Sequence, residues 1–313
     1  MNQAAAGRAA WLRQQIERAN HAYYVLDAPE IPDAEYDGYF RELQALEREH
    51  PEIQAPDSPT RRVGAPVASA LTKHTHRHPM LSLANAFSPL ELTEWEERNA
   101  RILPEVRTAG YTAEIKIDGA AVSLTYEEGR LTVGATRGNG ILGEDVTANI
   151  RTISDVPLVL KGRGWPRLME VRGEVYMPYA GFQRVNEERE REGEPIFANP
   201  RNAAAGGLRQ LDPALTRRRR LRLFAFAAEP IEGQIKARTH WEVLDLLDGW
   251  GFPVEPSRQR FADLSEVQAR IAAYEALIPK LAFQADGVVV KVDRLSIQEE
   301  LGVVGGREPR WAI

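Results

Sequence analysis

The spacing of apolar residues changes character along this chain, and the change excludes most single-architecture folds. Leu12, Ile16, Ala19 and Tyr23 recur at helical intervals, as do Tyr36, Phe40, Leu43 and Leu46. "DAPEIPD" separates the two stripes, with Asp33 placed to cap the second helix. A small helical hairpin is predicted, followed by a linker in "HPEIQAPDSPTRRVGAPVASA". Ser88, Pro89 and Glu91 then form a capping-box pattern that opens a helix running to about Leu103. Beyond it the pattern alternates. Residues 121–126 and 131–137 flank "EEGR" as a β-hairpin, and further strands are predicted at 168–177, 221–227 and 287–292. A polar helix near 182–192 and capped helices opening at Thr239 and Asp263 lie among them. Hairpins mixed with helices, without regular βαβ alternation, define an α+β chain and not a doubly wound parallel sheet.

At 313 residues the chain has room for two units. A net charge of −5 gives no global attraction to nucleic acid, so any such contact must come from local patches. Without cysteine there are no disulfides and no thiolate zinc sites. No apolar run reaches membrane-spanning length, and Arg8 and Arg13 interrupt the N-terminus, so a cytoplasmic protein with no membrane partner is expected, as a monomer. The sequence stops in the extended string "EPRWAI", which reads as a truncation.

One motif misleads. Residues 138–143, "GNGILG", match the dinucleotide fingerprint G-x-G-x-x-G. The strand before them is the second arm of a hairpin, and Glu144 and Asp145 would meet the pyrophosphate with negative charge. An oxidoreductase built on this loop is therefore disfavoured, and a polar turn is expected.

The informative residue is a lysine. The chain has six lysines against 34 arginines, yet one lies between two isoleucines in "EIKIDG". Alternation puts Glu114, Lys116 and Asp118 on one face. "DGVVVKVD" repeats the device, with Lys291 sharing a face with Val289 and Asp293. "VRGEVYMP" aligns Arg172, Glu174 and Tyr176 on one face of another strand. Several strands thus offer both signs of charge to one cleft, which suits a phosphorylated, ribose-bearing ligand. An amine there can attack phosphorus and form a phosphoramidate. Freeing a lysine's lone pair at neutral pH costs about 4 kcal/mol in water, a cost that burial, a second cation or a bound metal ion reduces.

With these residues in view, the chain resembles the NAD-dependent bacterial DNA ligases over its whole length. "DAPEIPDAEYD", "PMLSLANAF", "EIKIDG", "ATRGNGILGEDVT", "VRGEVYMP", "FANPRNAAAGGLRQLDP", "DGVVVKV" and "RWAI" follow in family order. The resemblance implies a covalent nucleotidyltransferase core at residues 71–313, preceded by a helical domain at 1–70 for the nicotinamide mononucleotide half of NAD. It makes Lys116 the nucleophile that takes AMP from NAD, and Asp118 its catalytic neighbour. Glu114 is implied on the adenine side, Arg137 and Glu174 near the ribose, Lys291 at the α-phosphate, Phe226 against adenine, and Ser82 and Leu83 as a cofactor-contacting pair. Tyr23, Asp33, Tyr36 and Asp37 match the nicotinamide mononucleotide site. Asp118 and Glu174 are the expected supports for Mg²⁺, through water. Nicked double-stranded DNA is the implied partner, gripped by Arg201 and Arg209 on the "NPRNAAAGGLRQ" loop and by Arg217 and Arg218. Binding is expected to be weak without the C-terminal domains that such ligases carry.

Three features depart from the family pattern, the foremost being that the sequence ends before the next lysine expected from the resemblance, in the stretch after "RWAI". Ala84 stands where an aspartate is usual, and "HTHRH" (His74, His76, His78) reads as a linker and not a metal site. The nearest rival function is an ATP-dependent ligase or capping-type nucleotidyltransferase, which the tyrosine- and aspartate-bearing helical hairpin argues against. A non-catalytic nucleic-acid-binding module would bind DNA without ever gaining AMP.

Overall fold

In a computed structural model, residues 3–24, 31–55, 58–62, 70–306 and 308–313 are described. The helical stripes fold as predicted into α1 (Gln3–Tyr24) and α2 (Asp33–Glu49). Leu12, Ile16 and Leu43 are fully buried between them with Ala9 and Ile53. Asp33 does not occupy the cap. Pro32 does, with extended backbone and no side-chain bond, so Asp33 becomes the first helical residue.

The first part of the predicted linker is ordered into turns, and residues 63–69 of it lie outside the described residues. Residues 51–53 and 59–62 form 3-10 turns packed onto the helices. Their anchor is Glu47, buried at 5% exposure, which accepts from Ser58 Oγ at 2.6 Å, Arg13 Nη2 at 3.0 Å and Thr60 Oγ1. Pro and Ser in this stretch serve as turn formers and hydroxyl donors.

The larger unit is built on two antiparallel sheets. Its strands are β1 (Lys73–Thr75), β2 (Tyr111–Ile117), β3 (Ala120–Glu127), β4 (Arg130–Thr136), β5 (Leu142–Glu144), β6 (Leu168–Tyr176), β7 (Arg222–Glu232), β8 (Gln259–Phe261) and β9 (Ala285–Val292). Two short strands, β10 (Val303–Val304) and β11 (Glu308–Pro309), pair near the C-terminus. The helices are α3 (Pro89–Ile102), α4 (Thr147–Ile150), α5 (Tyr179–Arg191), α6 (Pro200–Leu208), α7 (Pro213–Arg218), α8 (His240–Gly249), α9 (Leu264–Leu277) and α10 (Leu295–Leu301).

One sheet runs β4-β3-β6-β7 and the other β8-β2-β9; β1 pairs with β5. The β3–β4 hairpin turns at Glu128 and Gly129, both at positive φ, as "EEGR" foretold. Ser88, Thr239 and Asp263 cap α3, α8 and α9 by accepting the backbone N–H three residues on. Each sheet has its own core. Leu124, Tyr126, Val171, Trp250 and Phe252 lie under the first; Trp95, Tyr111, Ile115, Val290 and Val292 lie under the second. The two meet where Tyr176 stacks on Phe224, centroids 5.2 Å apart, with Phe283 closing the cluster.

The stretch "NPRNAAAGGLRQ" is a helix, α6, and not a loop. Asn199 accepts from Asn202 N at 2.8 Å as N-cap, Pro200 follows at the first position, and Ala203, Ala204 and Leu208 are buried. The two glycines masked it: Gly207 is buried under Arg219, a tight seat that a side chain would fill.

Replacing Glu47 with alanine leaves a part-buried guanidinium and two hydroxyls short of their acceptor. A loss of about 2–3 kcal/mol is expected in the helical unit. It should appear as faster amide hydrogen exchange across α1 and α2, with the exchange of the β3–β6 core unchanged.

Candidate active site

A cavity of about 1210 Å³ opens between the two sheets. From one side β2 and β9 supply Glu114, Lys116 and Lys291; from the other β6 and β7 supply Glu174 and Phe226. Pairing in register makes this possible, since Glu114 lies opposite Val289 and Lys116 opposite Gly287. The register shifts between Lys116 and Ile117, and the strand ends there. Gly119 follows because nothing larger fits: a Cβ would sit 2.3 Å from the Val175 carbonyl oxygen.

Lys116 is half-buried, and its Nζ lies 3.0 Å from both carboxylate oxygens of Asp286. Asp118 does not reach that amine. It accepts instead from Arg201 Nη1 at 3.1 Å and Gln284 Nε2 at 2.9 Å. Glu174 lies in the cleft near three cations. Burial pushes its carboxyl up to about 7, against the opposing pull of Lys116, Arg137 and Arg201 and the Gly119 N–H. Lys291 is buried and ion-paired with Glu114, and its Nζ is 5.4 Å from the centre of the Phe226 ring. The His240 ring completes this group, with Nε2 3.0 Å from Lys291 Nζ. Burial and the Lys291 charge hold that imidazole's pKa well below the ordinary range, so it is neutral.

Two predicted neighbours face elsewhere. Tyr176 is in the aromatic cluster between the sheets, and Asp293 lies beyond the end of β9, fully buried, accepting from Trp241 N and Arg260 Nε. The cause in both cases is the strand end or sheet junction, where simple alternation stops applying.

Ser82 and Leu83 line the cavity, and Arg172 fixes their approach. Its buried guanidinium donates to the carbonyls of His78 and Pro79, each at 2.9 Å. Ala84 packs against the second core, where an aspartate would lose solvation. The histidine string is no linker. His74 is in β1, and buried His76 places Nε2 3.0 Å from the Thr136 carbonyl, while His78 Nδ1 lies 3.2 Å from Glu229. Residues 138–143 form the expected turn, Asn139 accepting from the Ile141 and Leu142 N–H groups; β5 follows, with no helix N-terminus.

The arginines expected to grip DNA divide. Arg201 and Arg209 line the cavity, and Arg209 is held by both oxygens of Glu144 at 2.6 and 3.0 Å. Arg217 turns to the helical unit, donating to Tyr36 Oη at 2.9 Å, with its guanidinium 5.7 Å from the Phe40 ring centre. Arg218 is exposed on α7. Tyr36 thus lies against α7 and is not part of the cavity lining. The side chains of Tyr23, Asp33 and Asp37 lie outside the described residues.

Three cleft residues escaped the sequence reading. Asp286 opens the string "DGVVVKVD", where nothing in the spacing links it to Lys116 on another strand. His240 was hidden by the helix cap in "THWE". Glu255, which accepts from Ile115 N at 3.1 Å, sits in a loop with no local signature.

A lysine aimed into a two-sheet cleft, ringed by carboxylates and cations, fits the covalent nucleotidyltransferase class. Family comparison narrows this. The model for the NAD-dependent DNA ligase adenylation domain matches residues 68–313, and that for the DNA ligase-like N-terminal NAD+-binding domain matches residues 2–64. The chain belongs to the NAD-dependent DNA ligase family. It is 53% identical over 308 residues to a DNA ligase of Gemmatimonas aurantiaca, covering 98% of this chain and 45% of that protein. A DNA ligase of Marinobacter nauticus is 51% identical over 305 residues, covering 96% and 44%. The chain therefore spans somewhat under half the length of these relatives. Among the described residues no helix is long and apolar enough to cross a membrane.

The raised Glu174 carboxyl has a thermodynamic consequence. The folded state holds this proton more tightly than the unfolded chain, so the contribution to stability is complete below pH 4.5 and lost as pH rises towards 7. Glu174→Gln should remove this component. Urea midpoints measured from pH 4.5 to 8 should fall more for the parent protein than for the variant; parallel curves would contradict the assignment.

Proposed function

We propose that this cleft performs the self-adenylation step of NAD-dependent ligation, with NAD as donor of AMP. The observation that carries the reading is Lys116, half-buried at the end of β2 with its amine held by Asp286 and cationic and acidic groups around it. The Lys116 nitrogen forms a bond to the α-phosphorus of the adenylyl half. The bond from that phosphorus to the bridging oxygen breaks, and the oxygen leaves on nicotinamide mononucleotide. Asp286, exposed and 3.0 Å away, is placed to take the amine's proton. Glu174 and Arg137 are assigned to the ribose, Glu114, Ser82 and Leu83 to the nucleotide, and Phe226 to the adenine face. Lys291, ion-paired with Glu114 and beside the Phe226 ring, is assigned with them to the adenine side and not to the α-phosphate that the resemblance implied. AMP then passes to the 5′-phosphate of a nick in double-stranded DNA, with Arg201, Arg209 and Arg218 as candidate phosphate contacts.

The donor set fits Mg²⁺ only as an ion held mainly by phosphate and water. Among the described residues no three acidic or histidine side chains converge on one point, and Asp118 is already engaged by Arg201 and Gln284. Mg²⁺ commonly binds through one or two carboxylates plus substrate phosphates, which leaves Asp118 and Glu174 as supports through water. There it would supply electrostatic stabilisation of the phosphate oxygens.

Tyr23, Asp33, Tyr36 and Asp37 are assigned to the nicotinamide mononucleotide half, whose cationic ring suits tyrosine faces and carboxylates. Tyr36→Ala should slow AMP uptake from NAD by roughly tenfold or more, since positioning is its role. Protein already carrying AMP should pass it onward at the parental rate. Equal loss of both steps would remove Tyr36 from this role.

Intact-mass measurement after incubation with NAD and Mg²⁺ should show one added AMP, absent in Lys116→Ala and slow to form in Asp286→Asn. ATP in place of NAD should leave the mass unchanged. Labelling at any other side chain, or adduct formation from ATP alone, would refute the proposal.

A further inference from the structure

We infer that His76 is a positioning residue for the nucleotide: its ring ties the strap that carries Ser82 and Leu83 to the end of β4, from which Arg137 enters the cleft. The inference rests on the function proposed above and adds a residue to it.

His76 follows β1, is buried, and holds two carbonyls with one ring nitrogen. Nε2 lies 3.0 Å from the Thr136 oxygen and 3.2 Å from the Arg137 oxygen. A carbonyl accepts and cannot donate, so Nε2 must carry the ring proton and share it between the two. Burial lowers the pKa of this imidazole below its ordinary value, which keeps the ring neutral and Nδ1 bare at pH 7. Glu170 lies close enough for its charge to act on the ring. His76 Nδ1, Ser123 Oγ, Glu170 Oε1 and Arg172 Nε are all buried without a hydrogen-bond partner among the described residues. Ser123 lies opposite Arg172, and Glu170 is two residues along the same strand, so the last three share one face of the sheet. Buried polar groups of this kind take water as their partner. The surroundings of the ring are therefore polar, and its orientation is set by bonding and not by apolar packing.

The same residue also binds the far limb of the 138–143 turn. His76 N donates to the Ile141 carbonyl at 2.9 Å and Met80 N to the Gly140 carbonyl at 2.8 Å, so residues 76–83 lie along that turn as a strap. This gives the "GNGILG" glycines a role. A Cβ at Gly140 would sit 2.8 Å from the Met80 oxygen, and one at Gly143 would sit 3.0 Å from His76 Nε2. Farther along the strap, Arg172 holds the carbonyls of His78 and Pro79, and Ser82 and Leu83 then reach the cavity. On the other side, Arg137 N donates to the Ala121 carbonyl at 3.0 Å, and Arg137 lines the same cavity. β1 and β4 belong to different sheets. The ring thus joins two segments that serve one nucleotide site and that strand pairing does not hold together.

The test uses the full chain and the variants His76→Phe, His76→Gln and His76→Asn. Phenylalanine keeps a ring and removes the donor. Glutamine can place an amide N–H near the Nε2 position; asparagine, one methylene shorter, cannot reach it. In single-turnover formation of lysyl-AMP, the half-saturating NAD concentration should rise about threefold to tenfold in His76→Phe, the net effect of one hydrogen bond. The maximal rate should stay within about twofold, because the residues held in place contact the bound nucleotide and not the bonds that change. His76→Gln should recover most of the affinity and His76→Asn little of it. Parental amide exchange in β3 and β6 establishes that each variant is folded, and if the Phe variant is not, the Gln and Asn pair carries the same comparison. A parental NAD requirement in His76→Phe, a Gln variant no better than Asn, or a maximal rate that falls as far as the NAD requirement rises would each overturn the inference. If the parent protein gains no AMP at all, the proposed function fails, and nitrogen-15 NMR of the His76 ring at pH 7 decides the tie separately. A neutral ring protonated on Nε2, with exchange at the Met80 N–H faster in the Asn variant than in the Gln variant, supports it. A cationic ring, one protonated on Nδ1, or equal exchange in the two variants overturns it.

Discussion

The architecture of the cleft depends on one buried ion pair. Lys291 and Glu114 are each less than a tenth exposed, and they meet diagonally across adjacent strands, Lys291 lying opposite Thr112 and Glu114 opposite Val289. Removing one member of such a pair strands a charge at a cost of about 3–5 kcal/mol, whereas hydrophobic replacements of both are often neutral. The pair is therefore poor evidence for stability as such. Its effect is on register. A one-residue slip of β9 against β2 would send Lys291 into the apolar core beneath the sheet and bring Val290 or Val292 into the cleft. The correct pairing also places Gly287 opposite Lys116, so the nucleophile candidate has open space beside it where a side chain would otherwise stand.

The second constraint is the junction between the sheets. Gly119 lets the chain leaving β2 pass directly over β6, with the Val175 carbonyl where its side chain would be. Tyr176 and Phe224 fill the gap from below. The result is a cleft whose two walls are separate sheets, each with its own core. Cations come chiefly from one wall and from the α6 side, and Glu174 comes from the other. That distribution accounts for the Glu174 carboxyl: it is partly enclosed at the junction, and Lys116, Arg137 and Arg201 act on it without one forming a close pair.

The sequence revealed the elements that have strong local signals and obscured those set by tertiary contact. Capped helices at Ser88, Thr239 and Asp263 and the "EEGR" hairpin were legible because both signals act within four residues. The α6 helix was not, since its glycines argue for a loop locally while the burial of Ala203, Ala204 and Gly207 decides for a helix. For the site, alternation placed Glu114, Lys116, Glu174 and Lys291 on the cleft side correctly. It failed at Asp293 and Tyr176, which lie where strands end or sheets meet. Asp286 and His240 were unreadable for a different reason. One acts across a sheet and the other from a helix start, and no spacing in sequence records either approach.

The imbalance between the two basic residues follows from the same chemistry. Three of the six lysines, Lys73, Lys116 and Lys291, line the cavity, in a chain with 34 arginines. Arginine suffices wherever the task is to hold a carboxylate or a phosphate, as Arg209 and Arg222 do with Glu144 and Asp155. It cannot shed its proton under ordinary conditions, and its planar charge is spread over three nitrogens. A group that must attack phosphorus needs a lone pair, and a group enclosed between a carboxylate, an imidazole and a ring benefits from a compact cation. Those two demands fall at positions 116 and 291. An arginine at either would preserve the charge of the cleft and lose the chemistry proposed for it.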